Sequence, residues 1–110
     1  MADVGAREDR MARNEALFRD VNERVRELAD ESAGGPVAFV CECGQADCAE
    51  ALNVPLADYE RVRAEPTHFI ITPGHEIPEV ERIVERNAGY DVVRKVDGEA
   101  AIAIDTDPRS

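Results

Sequence analysis

Tryptophan is absent from this chain of 110 residues, and only five aromatics are present: Phe18, Phe39, Tyr59, Phe69 and Tyr90. A core must therefore be built from Val, Ile, Leu and Ala, and at this length it is modest enough to gain from an added staple. Lysine is nearly absent as well, with Lys95 alone against twelve arginines. Basic residues number 13 against 24 acidic ones, a net charge of −11. That balance excludes general binding to nucleic acid, which needs clustered cations for phosphates, and it opposes anionic membrane surfaces. No apolar stretch is long enough to span a bilayer. Residues 1–30 are charged throughout and contain no apolar centre of a secretory signal. A cytoplasmic protein without membrane attachment is expected. Glycine-rich phosphate loops, serine-centred elbows, H-E-x-x-H helices and deaminase-type H-x-E with P-C-x-x-C are also missing, which weighs against an enzyme.

What the chain does have is three cysteines within eight residues, Cys41-Glu42-Cys43-Gly44-Gln45-Ala46-Asp47-Cys48, followed by His68 and His75. An odd number of cysteines, two of them separated by one residue, is a poor disulfide framework. Three soft thiolates with an imidazole downstream are the donor set of a tetrahedral zinc site. On a strand, Cys41 and Cys43 share a face with Phe39, and a turn over Gly44 to Asp47 returns Cys48 to them. The fourth ligand is open between the two histidines. His75 follows the turn Pro73-Gly74, where a side chain can be aimed back at a neighbouring loop. His68 lies about 20 Å away along an extended strand, so both cannot reach one ion. His75 is favoured, giving Cys41, Cys43, Cys48 and His75 around one structural zinc. Two other readings use the same cluster: a metal-dependent hydrolase, with Glu76 as base, or a thiol redox enzyme. A nucleic-acid-binding zinc domain acting through a local patch is a third.

The fold expected is α+β: a long N-terminal helix, then a small sheet with short helices, stapled by zinc. Three parts are expected: an amphipathic helix in 1–33, a zinc-binding domain in 34–104 and a polar tail in 105–110. Residues 6–30 contain no Gly or Pro and are rich in Ala, Arg, Glu and Leu. Phe18, Val21, Val25 and Leu28 step as a heptad seam, which either packs on the protein's own sheet or pairs with a second copy or a partner. Arginines and acids such as Glu15–Arg19, Asp20–Arg24 and Glu23–Arg26 predict a solvated, ion-paired surface around it. Glu31 to Pro36 is a break. Strands are expected at 37–41, 51–54, 67–72 and 90–96, and helices at 56–64 and from Pro78 to Val84. Asp97-Gly98 reads as a hairpin turn, leaving 100–104 as a returning strand or a terminal helix.

Several segments together resemble a group of small actinobacterial proteins of uncharacterised function. They are Asn14-Glu15-Ala16-Leu17-Phe18-Arg19-Asp20-Val21-Asn22-Glu23-Arg24, Phe39-Val40-Cys41-Glu42-Cys43 with Cys48, Tyr59-Glu60-Arg61-Val62-Arg63, Pro73-Gly74-His75-Glu76 and Thr106-Asp107-Pro108-Arg109. The resemblance implies an actinobacterial, cytoplasmic protein. It supplies no catalytic residue and no ligand set.

Overall fold

The computed structural model describes residues 2–29, 35–45 and 47–109, with side chains from Arg10 onward. Eight elements follow in order: α1 (Ala2–Leu28), β1 (Pro36–Val40), β2 (Ala51–Pro55), α2 (Leu56–Arg63), β3 (His68–Ile71), β4 (Glu81–Asn87), β5 (Tyr90–Lys95) and α3 (Asp97–Asp105). The class is α+β, with an N-terminal helix, short helices and two small antiparallel sheets where one was expected. β1 and β2 form one sheet, and β3-β5-β4 the other. The break expected at Glu31 to Pro36 lies mostly outside the described residues.

Each strand's pattern gives its place. β2 alternates, burying Leu52 and Val54 and exposing its other residues, as a strand covered on one face does. β5 is the centre of its sheet and is buried along nearly its whole length. β4 is an edge strand that buries Glu81 and half-buries Ile83, Glu85 and Asn87, while Arg82, Val84 and Arg86 are exposed. A bulge between Ile83 and Glu85 leaves Val84 as the extra residue. The two sheets share a core that includes Phe39, Val54, Phe69, Ile70, Val92 and Val93. Phe39 and Tyr59 stack at 4.1 Å between β1 and α2.

Two local expectations are corrected. Pro78 opens one helical turn only, with Val80 and Glu81 N–H donating to Ile77 O, and the chain then extends into β4. A short run with apolar residues at 80, 83 and 84 satisfies neither period decisively, and pairing with β5 decides it. The hairpin turn falls at Ala88-Gly89, where Gly89 has φ +89°, and not at Asp97-Gly98. Asp97 takes φ +55°, which a short polar side chain tolerates, and turns the chain from β5 into α3.

α1 docks by an unexpected face. Ala12, Glu15, Arg19 and Asn22 are buried, whereas Leu17, Val21 and Leu28 are 57, 39 and 87% exposed. Of the expected apolar seam, only Phe18 and Val25 are half-buried. The expected solvated ion pairing holds at exposed Arg24, which lies 4.0 Å from Glu27, and is corrected at Glu15, Arg19 and Glu23. Glu15 pairs with Lys95, which also binds Glu81. Arg19 lies over the Phe69 ring at 4.6 Å and donates to Pro66 O and Ala103 O, both at 2.7 Å. Glu23 accepts from Arg63, itself buried, and from Arg109. Backbone carbonyls and buried opposite charges offset most of the cost of burying these groups, although Arg19 Nε and one Arg63 guanidinium nitrogen are buried without a partner.

A candidate metal centre

The cysteine segment is held where the two sheets meet. Cys41 N–H donates to Glu50 O at 2.9 Å, extending the β1–β2 hairpin by one step. Glu42 then crosses to the free edge of β3: its N–H donates to Ile70 O at 2.8 Å and its carboxylate accepts from Ile70 N–H at 3.0 Å. Cys41 and Cys43 are fully buried, and Cys48 and His75 are half-buried. The turn that returns Cys48 is closed by its N–H donating to Gln45 O at 3.0 Å; Ala46, within it, lies outside the described residues.

His75 arrives from the other sheet. The chain leaving β3 turns through Thr72-Pro73-Gly74-His75, closed by His75 N–H to Thr72 O at 3.0 Å. Proline presets the second position of such a turn, and the third needs the positive φ that Gly74 adopts at +92°. The imidazole is thereby aimed at the cysteines. Its Nδ1 lies 3.7 Å from Cys41 Sγ and 3.6 Å from Cys48 Sγ. One ligand atom from each of Cys41, Cys43, Cys48 and His75 falls within 4.8 Å of all the others. A tetrahedron with Zn–S of about 2.3 Å and Zn–N of about 2.0 Å has S···N edges of about 3.5 Å. The donor types and the observed edges fit zinc. His68, at the far end of β3, is not in the cluster.

The surroundings support ligands. Thr72 N–H points at Cys41 Sγ, 3.1 Å away. Backbone donors of this kind steady metal-bound thiolates. α1 closes one side. Asn14 Nδ2 donates to Gly44 O at 3.1 Å, and a Cβ on Gly44 would meet Glu15 Cγ at 2.9 Å and Met11 O at 3.1 Å. Asn22 reaches further along the same segment. Its amide both donates to and accepts from the Val40 backbone at 2.8 Å and donates to Glu42 Oε2 at 2.8 Å. Burial pushes the Cys41 thiol up and the Cys43 thiol up to about 12, because no positive charge nearby offsets desolvation of a thiolate. A divalent cation would supply that charge.

Cys41, Cys43, Cys48 and His75, all identified from the sequence, are thus brought together. Asn14, Asn22 and Gly44 were missed as supports of the site. Their only sequence signal is that two asparagines and a glycine sit where a helix and a turn would pack closely. An open groove of about 440 Å³ runs beside the exposed edge of Cys48 and His75, lined also by Gln45, Asp47 and Glu50. No helix among the described residues is long and apolar enough to cross a membrane. Comparison of the chain with protein-family models, curated proteins and solved structures finds no match.

Proposed function

We propose that this is a small zinc-binding interaction protein, in which one zinc held by Cys41, Cys43, Cys48 and His75 fixes the fold and α1 serves self-association or docking on a partner protein. The observation that carries the reading is the closeness of four protein ligand atoms, all within 4.8 Å. They come from two segments: the β1–β2 connection supplies the sulfurs and the β3–β4 connection the imidazole. An ion bound there ties one sheet to the other, and four protein ligands leave no position for water. Such closure favours a structural role over metal-dependent hydrolysis. Burial raises the Cys41 and Cys43 thiols and makes those two poor nucleophiles, which disfavours redox chemistry through them. A reducing cytoplasm suits a site built on free thiols.

One observation keeps hydrolysis as the second reading: Glu76 Oε1, beside His75, is buried without a hydrogen-bond partner. It would require His75 to leave the metal to water.

The test is elemental mass spectrometry of the untagged protein together with Cys48→Ser and His75→Ala. One zinc per chain, lost or weakened in both variants, is expected. Metal-free protein prepared without chelator would overturn the zinc reading. Zinc retained undiminished by His75→Ala would remove that ligand and revive the hydrolytic one.

A further inference from the structure

The inverted docking of α1 leaves an apolar stripe in solvent. At about 100° per residue, Leu17, Val21 and Leu28 fall within about 40° of one another, diametrically opposite the buried Ala12, Glu15, Arg19 and Asn22. Half-buried Val25 and Phe18 extend the stripe along one side. Single exposed aliphatic residues need no explanation, but three aligned on one helix face do. The protein's own core does not use them, because the opposite face is already docked.

The charges along the stripe say what covers it. Arg24, which lies 4.0 Å from Glu27 on the same helix, borders it about 20° beyond Leu17, and Asp20 stands further round the same flank. A parallel copy would set Arg24 against Arg24. An antiparallel copy sets Leu17 against Leu28, lays the aliphatic stem of Arg24 beside Val21, and brings each Arg24 guanidinium to the Asp20 of the other copy. The twofold axis makes each contact twice. Both signs stand here in self-complementary order, which suits a second copy better than a strongly basic or acidic partner. We infer that α1 mediates an antiparallel homodimer of this chain through Leu17, Val21, Arg24 and Leu28. The inference rests on the reading of α1 as an interaction element, not on the zinc. Its contact is one helix per protomer, so the interface belongs to the small, reversible class below about 1,200 Å².

Sedimentation velocity of the full chain over about two decades of concentration tests this, with zinc measured on the same samples. A reversible monomer–dimer equilibrium is expected. Val21→Glu and Leu17→Glu lie on the solvent face, so they fold, and each weakens association by about tenfold or more. Asp20→Arg weakens it too, and the exchanged pair Asp20→Arg with Arg24→Asp restores it to within about threefold. Monomer at every concentration with one zinc per chain overturns the dimer while leaving the metal reading intact. Zinc-free protein overturns the metal reading whatever its association state. A dimer indifferent to Val21→Glu, or an exchanged pair as weak as the single charge reversal, overturns this face and this orientation.

Discussion

Cys41, Cys43, Cys48 and His75 were legible in the sequence because few residue types bind zinc and their spacing limits how they can meet. What supports them was not. Gly44 shows why: its φ of +79° suits a turn, but the need for glycine also comes from Glu15 and Met11, 29 and 33 positions earlier. Gly74 has φ +92° with nothing within 4 Å of an added Cβ. The two therefore separate local strain from close approach. Gly74→Ala should cost about 1 kcal/mol of stability, from the positive φ alone. Gly44→Ala should cost about 2–3 kcal/mol and weaken zinc affinity as well, because α1 must move off the turn. Denaturant titration paired with competition against a chromophoric chelator measures both. Equal costs for the two variants would mean that the contact between α1 and the turn is unimportant.

At the scale of elements, β1, β2, α2, β3 and β5 were readable from alternation, apolar runs and the prolines at 36, 55 and 66. β4 was not, since a short run fits two periods. The face by which α1 docks was beyond reach for another reason. Amphipathic reasoning assigns apolar residues inward, but here backbone acceptors at Val40, Pro66 and Ala103 and the Lys95 ammonium wait at the docking surface. Nothing in residues 10–29 reveals those partners. A reversed ranking of substitutions follows. Asn22→Ala leaves the Val40 backbone and a Glu42 oxygen without their partner and should cost about 2–3 kcal/mol. Leu17→Ala and Val21→Ala should each cost less than about 0.5 kcal/mol in dilute, monomeric protein. Urea unfolding at low concentration checks the order; a larger loss from Val21→Ala than from Asn22→Ala would contradict the docking described.

Over the whole molecule, three remote segments are clasped at the end of the chain. Arg109 pairs with Glu23 on α1 and Glu60 on α2, Arg63 pairs with Glu23 and Asp107, and Arg26 pairs with Glu60. The expected polar tail is therefore partly buried, with Asp107 inside the network. The hydrogen bond from Arg109 holds the Glu60 carboxyl below its ordinary 4.5. Burial opposes ionisation of Asp107, but the Arg109 N–H and the Arg63 guanidinium outweigh it and hold its pKa below the ordinary 3.8. Lowered carboxylate pKa values stabilise the fold fully above the unfolded values, and that contribution is lost as pH falls through the lowered ones. Wild type should thus lose more stability than Asp107→Asn on acidification from pH 5 to pH 3, about the window of these groups. Parallel curves for the two proteins would mean that the clasp contributes nothing to the acid response.

The zinc proposed at Cys41, Cys43, Cys48 and His75 would join the two sheets, and it is the claim on which the proposed structural role depends. Thermal unfolding of the reduced protein, followed by circular dichroism before and after metal removal by chelator, tests it most directly. Loss of zinc is predicted to lower the midpoint by more than about 20 °C, or to abolish the cooperative transition, with recovery on adding one equivalent of zinc. An unchanged transition in protein verified to be metal-free would contradict the account.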